Sequence, residues 1–130
     1  MRKVPLTVAD FMSRGPYTIG AARPLAEADL LMRKHDVRHL PVLDVGRLVG
    51  IVSQRELDLL MTVPEIDAAV QPVSRAMVKD VLVVAPTDSV SQVAARMADR
   101  RVGSVVVASG GKVLGVFTTV DALRALMVTA

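Results

Sequence analysis

The stretch VGSVVVASGGKVLGVFTTVDAL, residues 102–123, decides the fold. It reads as two apolar strands, Ser104 to Ala108 and Val113 to Phe117, around a tight turn at Ser109-Gly110-Gly111-Lys112. A helix is predicted to follow, from Thr119 to Met127. Because the strands are apolar at successive positions instead of alternating positions, both faces of their sheet are expected to be covered.

The same pattern occurs 65 residues earlier, in VRHLPVLDVGRLVGIVSQREL, residues 37–57. Strands from His39 to Leu43 and from Leu48 to Val52 flank the turn Asp44-Val45-Gly46-Arg47, and a helix from Gln54 to Met61 follows. The ungapped offset aligns glycines and Ser/Thr…acid pairs as well as apolar residues, so the chain is two tandem copies. The aligned pairs are Val8/Val73, Met12/Met77, Met32/Met97, Val37/Val102, Val42/Val107, Gly46/Gly111, Gly50/Gly115, Ser53/Thr118 and Glu56/Asp121.

Each copy opens with a short helix, an extended piece and an amphipathic helix. In copy one these are Thr7 to Met12, Tyr17-Thr18-Ile19 and the helix containing Leu25, Ala28, Leu31 and Met32. In copy two they are Gln71 to Met77, Val81 to Val84 and a helix capped by Ser89. The predicted order is β-α-β-β-α twice, a mixed α/β (α+β) fold with repeat 1 at 1–62, a linker at 63–70 and repeat 2 at 71–130.

A copy of about 60 residues is close to the lower size limit for independent folding. We therefore expect each copy to bury its apolar face against the other. The residues expected to be buried are Val42, Val49, Ile51, Val105, Val106 and Val107.

Composition restricts the function classes. The 130 residues are 52% apolar and 22% charged, with no Cys, 1 Tyr, 2 Phe and a net charge of +3. Disorder and thiolate chemistry are excluded, and the aromatic and basic surfaces of nucleic-acid binders are lacking. No apolar stretch approaches the roughly 20 residues of a membrane span, and no secretory signal is visible, so we expect a cytoplasmic protein that does not associate with membranes.

Motifs for catalysis are missing as well. There is no GxSxG, HExxH or P-loop sequence, so no catalytic residue and no enzyme activity are predicted. His35 and His39 straddle a helix–strand boundary without more acidic or Cys neighbours, so no metal site is predicted.

The two quoted stretches, with DFMSRGPYTI (10–19) and RAMVKDVLVV (75–84), resemble the cystathionine-β-synthase-type (CBS) domain. The tandem resembles a CBS pair, or Bateman module, over essentially the whole chain. The resemblance implies repeats packed sheet to sheet with pseudo-two-fold symmetry, and clefts between them that bind AMP, ADP, ATP, S-adenosylmethionine or NAD. It also implies pairing of modules into disc-like dimers. High apolar content in so small a chain independently favours a homodimer through its amphipathic helices.

The strand-to-helix junction from Gly115 to Asp121 is the strongest candidate site. Thr118 falls at N-cap and Asp121 at N3, the spacing of a capping box that stabilises a helix by about 1 kcal/mol. A helix start also offers N–H groups and partial positive charge to phosphate. In the family interpretation, Asp121 accepts ribose hydroxyls beside Thr118 and Thr119, and the segment containing Val83 and Val84 offers backbone groups to an adenine edge. Both interpretations remain open.

The matching junction in copy one departs from the family pattern. Ser53 keeps the hydroxyl, but Glu56 stands where the family's adenosyl sites have Asp. One extra methylene displaces the carboxylate by about 1.5 Å. A capping box is the simpler interpretation, and this site, with Thr18 and Ile19 as its extended segment, is expected to bind weakly or stay empty.

Arg38 and His39 immediately precede the next strand of copy one. In nucleotide-binding members of the family, basic residues there touch phosphates, and the copy-two counterparts Gly103 and Ser104 have no charge. We predict that Arg38 and His39 reach the phosphates of a ligand at Asp121 if the packing brings copy one across the cleft. The alternative is that they are solvated polar residues at a strand entry.

Two classes of function remain. The first is a regulatory, stand-alone CBS pair that senses an adenosyl compound in the inter-repeat cleft and signals by a shape change, with no obligatory cofactor. Because these 130 residues contain no effector domain, the partner is expected to be a separate protein, or the dimer is itself the output. The second is a ligand-free dimerisation or docking module, which Glu56 favours. Binding of an adenosyl compound discriminates between them.

Overall fold

In the computed structural model of the protein, residues 6–14 and 17–129 are described. They form two compact units. The first unit is Tyr17–Val81, and the second unit combines residues 6–14 with residues 82–129.

The first unit is a three-stranded sheet with two helices. The elements are β2 (Ile19–Gly20), α1 (Leu25–His35), β3 (His39–Asp44), β4 (Arg47–Ser53), α2 (Gln54–Met61) and a 3-10 turn (Val73–Arg75). The sheet order is β2-β3-β4, with β2 parallel to β3 and β3 antiparallel to β4. Its core is Ile19, Leu25, Ala28, Met32, Leu40, Val42, Val52, Leu57 and Val73.

The second unit repeats this arrangement and adds a strand. Its sheet order is β1-β7-β6-β5, with β1 antiparallel to β7 and β5 parallel to β6. The elements are a 3-10 turn (Val8–Asp10), β1 (Ser13–Arg14), β5 (Val83–Val84), α3 (Val90–Arg100), β6 (Ser104–Ser109), β7 (Lys112–Thr118) and α4 (Thr119–Thr129). Its core is Val8, Leu82, Val84, Val93, Met97, Val105, Val107 and Phe117.

The predicted β-α-β-β-α order is confirmed in both repeats. The central strands are buried at three successive positions, as their uninterrupted apolar sequences predict. The prediction for Val49 was wrong: it is only partly buried, whereas the other five residues expected in the core are buried. Val49 precedes the buried stretch of β4, whose burial begins at Gly50.

The opening segments do not belong to the unit that contains the rest of their own repeat. Residues 6–14 lie in the second unit, where the Val8 amide donates to the Asp88 carbonyl at 3.0 Å. Residues 71–78 lie in the first unit, where the Val78 amide donates to the Ile51 carbonyl at 2.8 Å. The compact units and the sequence repeats are therefore divided at different points of the chain.

Candidate functional site

The β7–α4 junction of the second unit holds the carboxylate of Asp121. Its Oδ2 accepts hydrogen bonds from the Thr118 amide at 2.8 Å and the Thr118 hydroxyl at 3.1 Å. Thr118 Oγ1 in turn accepts from the Asp121 amide at 3.4 Å, which completes the predicted capping box. Asp121 is 4% exposed, and its Oδ1 lies 3.8 Å from Nη1 of Arg124, beyond hydrogen-bond length. Oδ2 is therefore occupied within the helix start, and Oδ1 is the atom with capacity for a ligand hydroxyl.

Strand β5 lies at the edge of this sheet, with β6 between it and β7. Val83 pairs with Val106 of β6, and Ser104 at the start of β6 pairs with Thr118 at the end of β7. Val83 therefore lies in the same row of the sheet as Val106 and Val116, and Val116 is two residues before Thr118 along β7. An edge strand has one side of its backbone outside the sheet ladder, and a ligand with adjacent donors and acceptors can bind such a side. Val84 is buried, whereas Val83 is 43% exposed.

Thr119 is the first residue of α4 and is exposed. Its amide donates to the Gly103 carbonyl at 3.0 Å, and its hydroxyl donates to the same oxygen at 3.3 Å. These bonds attach the helix start to the residue before β6, so the amide of Thr119 is already used inside the protein.

The β4–α2 junction of the first unit contains the corresponding box with Glu56. Its Oε2 accepts from the Ser53 amide at 3.2 Å and from the Ser53 hydroxyl, and Ser53 Oγ accepts from the Glu56 amide at 3.2 Å. The extra methylene is accommodated without loss of the box. Glu56 is partly buried, and the position that matches Arg124 is Leu59, which is 61% exposed.

The other predicted residues of copy one also lie in the first unit. His39 begins β3 and pairs with Ser53 of β4, and the carbonyl of Arg38 accepts from the Gln54 amide at 2.9 Å. Arg38 is exposed and His39 is partly buried. Ile19 begins β2 at the edge of this sheet and is buried, and Thr18 precedes it.

Sequence reasoning missed Tyr17, which is next to this extended segment. Its ring stacks on the ring of His35, with centroids 3.7 Å apart and an angle of 11° between the planes. Tyr17 is 42% exposed. Tyr17 is the only tyrosine in the sequence and lies directly before Thr18. These two facts could have identified it as an aromatic surface just before β2.

Each unit contains five of the predicted residues. The second unit contains Thr118, Thr119, Asp121, Val83 and Val84, and the first unit contains Ser53, Arg38, His39, Thr18 and Ile19. Among residues 6–14 and 17–129, there is no group of three or more His, Cys, Asp or Glu side chains able to hold a metal ion. In the same part of the chain, no helix has the length and apolar character needed to cross a membrane.

Comparison with known proteins gives the family. The family model described as "CBS domain" matches twice, at residues 8–61 and 73–128. The chain belongs to the CBS domain family. The resemblance seen in the sequence is thereby confirmed, and the fold is the mixed α/β fold of CBS pairs.

Solved CBS proteins resemble this CBS pair along nearly its whole length. The CBS domain pair of protein MJ0100, solved in complex with 5′-methylthioadenosine and S-adenosyl-L-methionine, is 25% identical with a TM-score of 0.80, covering 92% of this chain and 98% of that chain. AcuB from Vibrio cholerae is 30% identical with a TM-score of 0.78, covering 97% of this chain and 93% of that chain.

Some curated relatives are much longer enzymes. The homoserine O-acetyltransferase of Methanocorpusculum labreanum is 31% identical over 117 residues, which are 88% of this chain and 23% of that protein. This CBS pair spans about a quarter or less of the length of the first three curated relatives that it matches. Both family matches are to CBS domains, which indicates a regulatory domain instead of a catalytic one.

Proposed function

We propose that this CBS pair is a non-enzymatic, ligand-sensing regulatory module that binds an adenosyl compound at the β7–α4 junction of the second unit. The expected ligands are AMP, ADP, ATP, S-adenosylmethionine and NAD, and none of them is an obligatory cofactor. Binding is expected to shift the shape of the module and so to signal to a separate effector protein. A cytoplasmic location is part of the proposal.

The fixed position of the Asp121 carboxylate is the observation that supports this site. Thr118 fixes the side chain through two hydrogen bonds to Oδ2. A carboxylate held in advance loses little conformational entropy when it accepts a ribose hydroxyl through Oδ1. Nη1 of Arg124 lies 3.8 Å from Oδ1, so a cation is next to the oxygen that would accept the hydroxyl.

The edge strand of the same sheet supports the same class of ligand. Val83 and Val84 form this strand, and β6 separates it from β7. An adenine edge presents a donor and an acceptor side by side, which matches backbone groups of such a strand. The solved MJ0100 pair is a relative with this fold whose crystals contain two adenosyl compounds.

The role of Arg38 and His39 as phosphate contacts stays a prediction. Arg38 is exposed and is always charged, so it suits a nucleotide with phosphates better than S-adenosylmethionine. Replacement of Arg38 should therefore affect ATP and AMP more than methylthioadenosine.

A calorimetric titration of the whole chain with AMP, ADP, ATP, NAD, S-adenosylmethionine and methylthioadenosine tests the proposal. Asp121→Ala should weaken binding by about 30- to 150-fold, because two charge-assisted hydrogen bonds are lost. Glu56→Ala is the matched control and should change affinity little. Both variants remove a capping carboxylate, so thermal unfolding of each is measured in parallel. Greater loss of binding in Glu56→Ala than in Asp121→Ala would overturn the assignment.

One observation favours the competing function, a ligand-free docking module. Asp121 is 4% exposed, as expected of a carboxylate that serves only its helix. A ligand present at about 100 times its dissociation constant adds roughly 2.7 kcal/mol to the stability of the protein. If none of the six compounds raises the melting temperature, the docking module is the better conclusion.

We also propose that the CBS pair forms a homodimer. The second unit has exposed Leu, Val and Met side chains along α4. An exposed apolar patch of this kind is typical of a surface that contacts another protein molecule. Sedimentation showing only monomer at tens of micromolar would contradict this.

A further inference from the structure

The guanidinium of Arg124 lies beside the Asp121 carboxylate without bonding to it. The distance from Nη1 to Oδ1 is 3.8 Å, and the Arg124 side chain is 68% exposed. An exposed ion pair of this length contributes little to stability. Within residues 6–14 and 17–129, the guanidinium donates no hydrogen bond and has no second carboxylate at ion-pair distance. Its donors are therefore available to a ligand.

The two oxygens of Asp121 have different surroundings. Oδ2 accepts two hydrogen bonds from Thr118, at 2.8 and 3.1 Å. Oδ1 is the oxygen next to Arg124, and the Asp121 side chain is only 6% exposed. A ligand hydroxyl that donates to Oδ1 therefore brings the atoms next to it close to the cation.

The chemistry of ribose decides which ligand group comes close to Arg124. The 2′ and 3′ hydroxyls are on adjacent carbons and on the same face of the sugar ring. The base and the 5′ chain are on the opposite face. A cation beside the acceptor of one hydroxyl is consequently placed for a substituent on the other hydroxyl, and not for phosphates on the 5′ chain.

We propose that the Asp121–Arg124 pair selects an adenosyl compound with a phosphate on its 2′ or 3′ ribose oxygen. Oδ1 of Asp121 accepts the free hydroxyl, and the planar guanidinium of Arg124 donates to the phosphate on the adjacent oxygen. The inference rests on the adenosyl site proposed above and names the class of ligand that this site takes.

Charge explains why both residues are needed. A phosphate on the ribose lies close to the Asp121 carboxylate, and two negative charges at such a distance repel each other. The guanidinium next to Oδ1 offsets this repulsion. A comparable pair occurs in dinucleotide-binding folds, where an acidic residue binds the ribose hydroxyl of NAD and a nearby arginine accommodates the 2′-phosphate of NADP.

The junction of the first unit lacks the cation of this pair. The position that matches Arg124 is Leu59, which is 61% exposed. A leucine donates no hydrogen bond to a phosphate, so the inference applies to the second unit only. Leucine is also the natural replacement for Arg124 in a test, because the same helix position already accommodates it in the other repeat.

Calorimetric titrations of the whole chain with AMP, ADP, adenosine 2′,5′-bisphosphate and adenosine 3′,5′-bisphosphate test the inference. ADP and the two bisphosphates each contain two phosphate groups, so they differ in the position of the second phosphate. One bisphosphate should bind at least about 10-fold more tightly than AMP, and which one it is identifies the 2′ or the 3′ position. Arg124→Leu should weaken that bisphosphate by about 10- to 30-fold and change AMP and ADP by less than about 3-fold.

Two control variants separate the guanidinium from charge in general. Arg96 is exposed on α3 of the same unit, so Arg96→Leu removes the same charge while both members of the pair remain in place. It should leave the preference for the bisphosphate unchanged. Arg124→Lys retains the charge without the planar donors and should keep only part of the preference. Arg124→Gln replaces Arg124→Leu if the added apolar side chain causes aggregation.

The outcomes distinguish a failure of this inference from a failure of the adenosyl site. If AMP binds but neither bisphosphate binds more tightly than AMP, the inference is overturned and the adenosyl site stands. The same conclusion holds if the preference for a bisphosphate persists in Arg124→Leu. If none of the four adenosine compounds binds, the adenosyl site is itself wrong, and this inference fails with it.

Discussion

The two strand-to-helix junctions show how one local structure can serve two different surroundings. In each unit a Ser or Thr at N-cap and a carboxylate at N3 exchange hydrogen bonds, and the distances are similar for Ser53 with Glu56 and Thr118 with Asp121. The longer Glu56 is partly buried and has an exposed leucine, Leu59, at the position where Asp121 has Arg124.

This comparison separates stability from function at one motif. The capping box is retained in both units, so it explains the N-cap hydroxyl and the N3 carboxylate without any ligand. Only the differences between the junctions bear on binding, namely the shorter carboxylate and the neighbouring cation of Asp121. A variant that equalises the two junctions is therefore more informative than one that destroys either of them.

The largest expected effect on stability concerns two matching glycines, one in each unit. A Cβ at Gly115 would collide with the carbonyl oxygen of Ser13 in β1 and lie 3.0 Å from Sδ of Met12. A Cβ at Gly50 would lie 2.7 Å from Sδ of Met77 and 2.8 Å from the Val78 carbonyl oxygen. We expect Gly115→Ala to cost about 3 kcal/mol and Gly50→Ala about 2 kcal/mol in urea unfolding, because β1 is hydrogen-bonded in a sheet.

If the two glycine variants lost the same free energy of unfolding, the backbone of β1 would be displaced as easily as the isolated bridge between Ile51 and Val78. Wild-type stability of Gly115→Ala would contradict the close approach of β1 to β7 altogether.

A smaller effect on stability is expected in the hairpin turns. Val45 has φ of 49° and Gly110 has φ of 58° at the matching position. A β-branched residue in this left-handed region costs about 1–2 kcal/mol, and Val45 is 96% exposed, so no packing offsets the cost. Val45→Gly should stabilise the protein by up to about 1 kcal/mol, because relief of the backbone strain exceeds the larger conformational entropy that glycine loses on folding. Gly110→Val should destabilise the protein by about 1–2 kcal/mol.

Thermal unfolding of this reciprocal pair is its own control, because each variant gives one turn the residue of the other. If both variants lowered the melting temperature, Val45 would have a stabilising contact that outweighs its backbone strain.

The smallest expected effect concerns an ion pair present in one repeat only. Arg23 forms hydrogen bonds with Glu27 and thereby lowers the pKa of that carboxyl, and the matching residues of repeat 2 are Asp88 and Gln92. Because the folded pKa lies below the unfolded one, the pair stabilises the protein at neutral pH, and this contribution is lost as the pH falls through the folded pKa.

Glu27→Gln should therefore lower the melting temperature by at most about 2 °C at pH 7 and by less at pH 3, since the pair is exposed. A matched Gln92→Ala variant should show no such pH dependence. An effect of Glu27→Gln that grows as the pH falls would reverse the sign argued here.

Local hydrogen bonds account for what could be predicted. The cap of α3 is confirmed, with Ser89 Oγ accepting from the Gln92 amide at 3.1 Å, and α2 has the predicted bounds of Gln54–Met61. Both capping boxes join residues three positions apart. Such contacts depend on the identity of neighbours in the chain, so a sequence displays them directly.

Long-range pairing accounts for what could not be predicted. Strand β1 has two residues and no pattern of its own, and it exists because Ser13 meets Val116 from the far end of the chain. Val49 was expected in the core because of its apolar side chain, but the position along β4 at which burial begins decided otherwise. Asp29 and Gln54 gave no sign in the sequence of sharing a hydrogen bond.

The sequence alone determined the tandem repeat, the β-α-β-β-α order, the turns and the helix caps, because these follow from periodicity and from interactions within a few residues. Only the tertiary structure decided that residues 6–14 complete the second unit and residues 71–78 the first. It also decided that one helix pair is bridged by polar side chains while the other leaves an apolar groove. These properties depend on which residues distant in the chain become neighbours, and that depends on the packing of the whole unit.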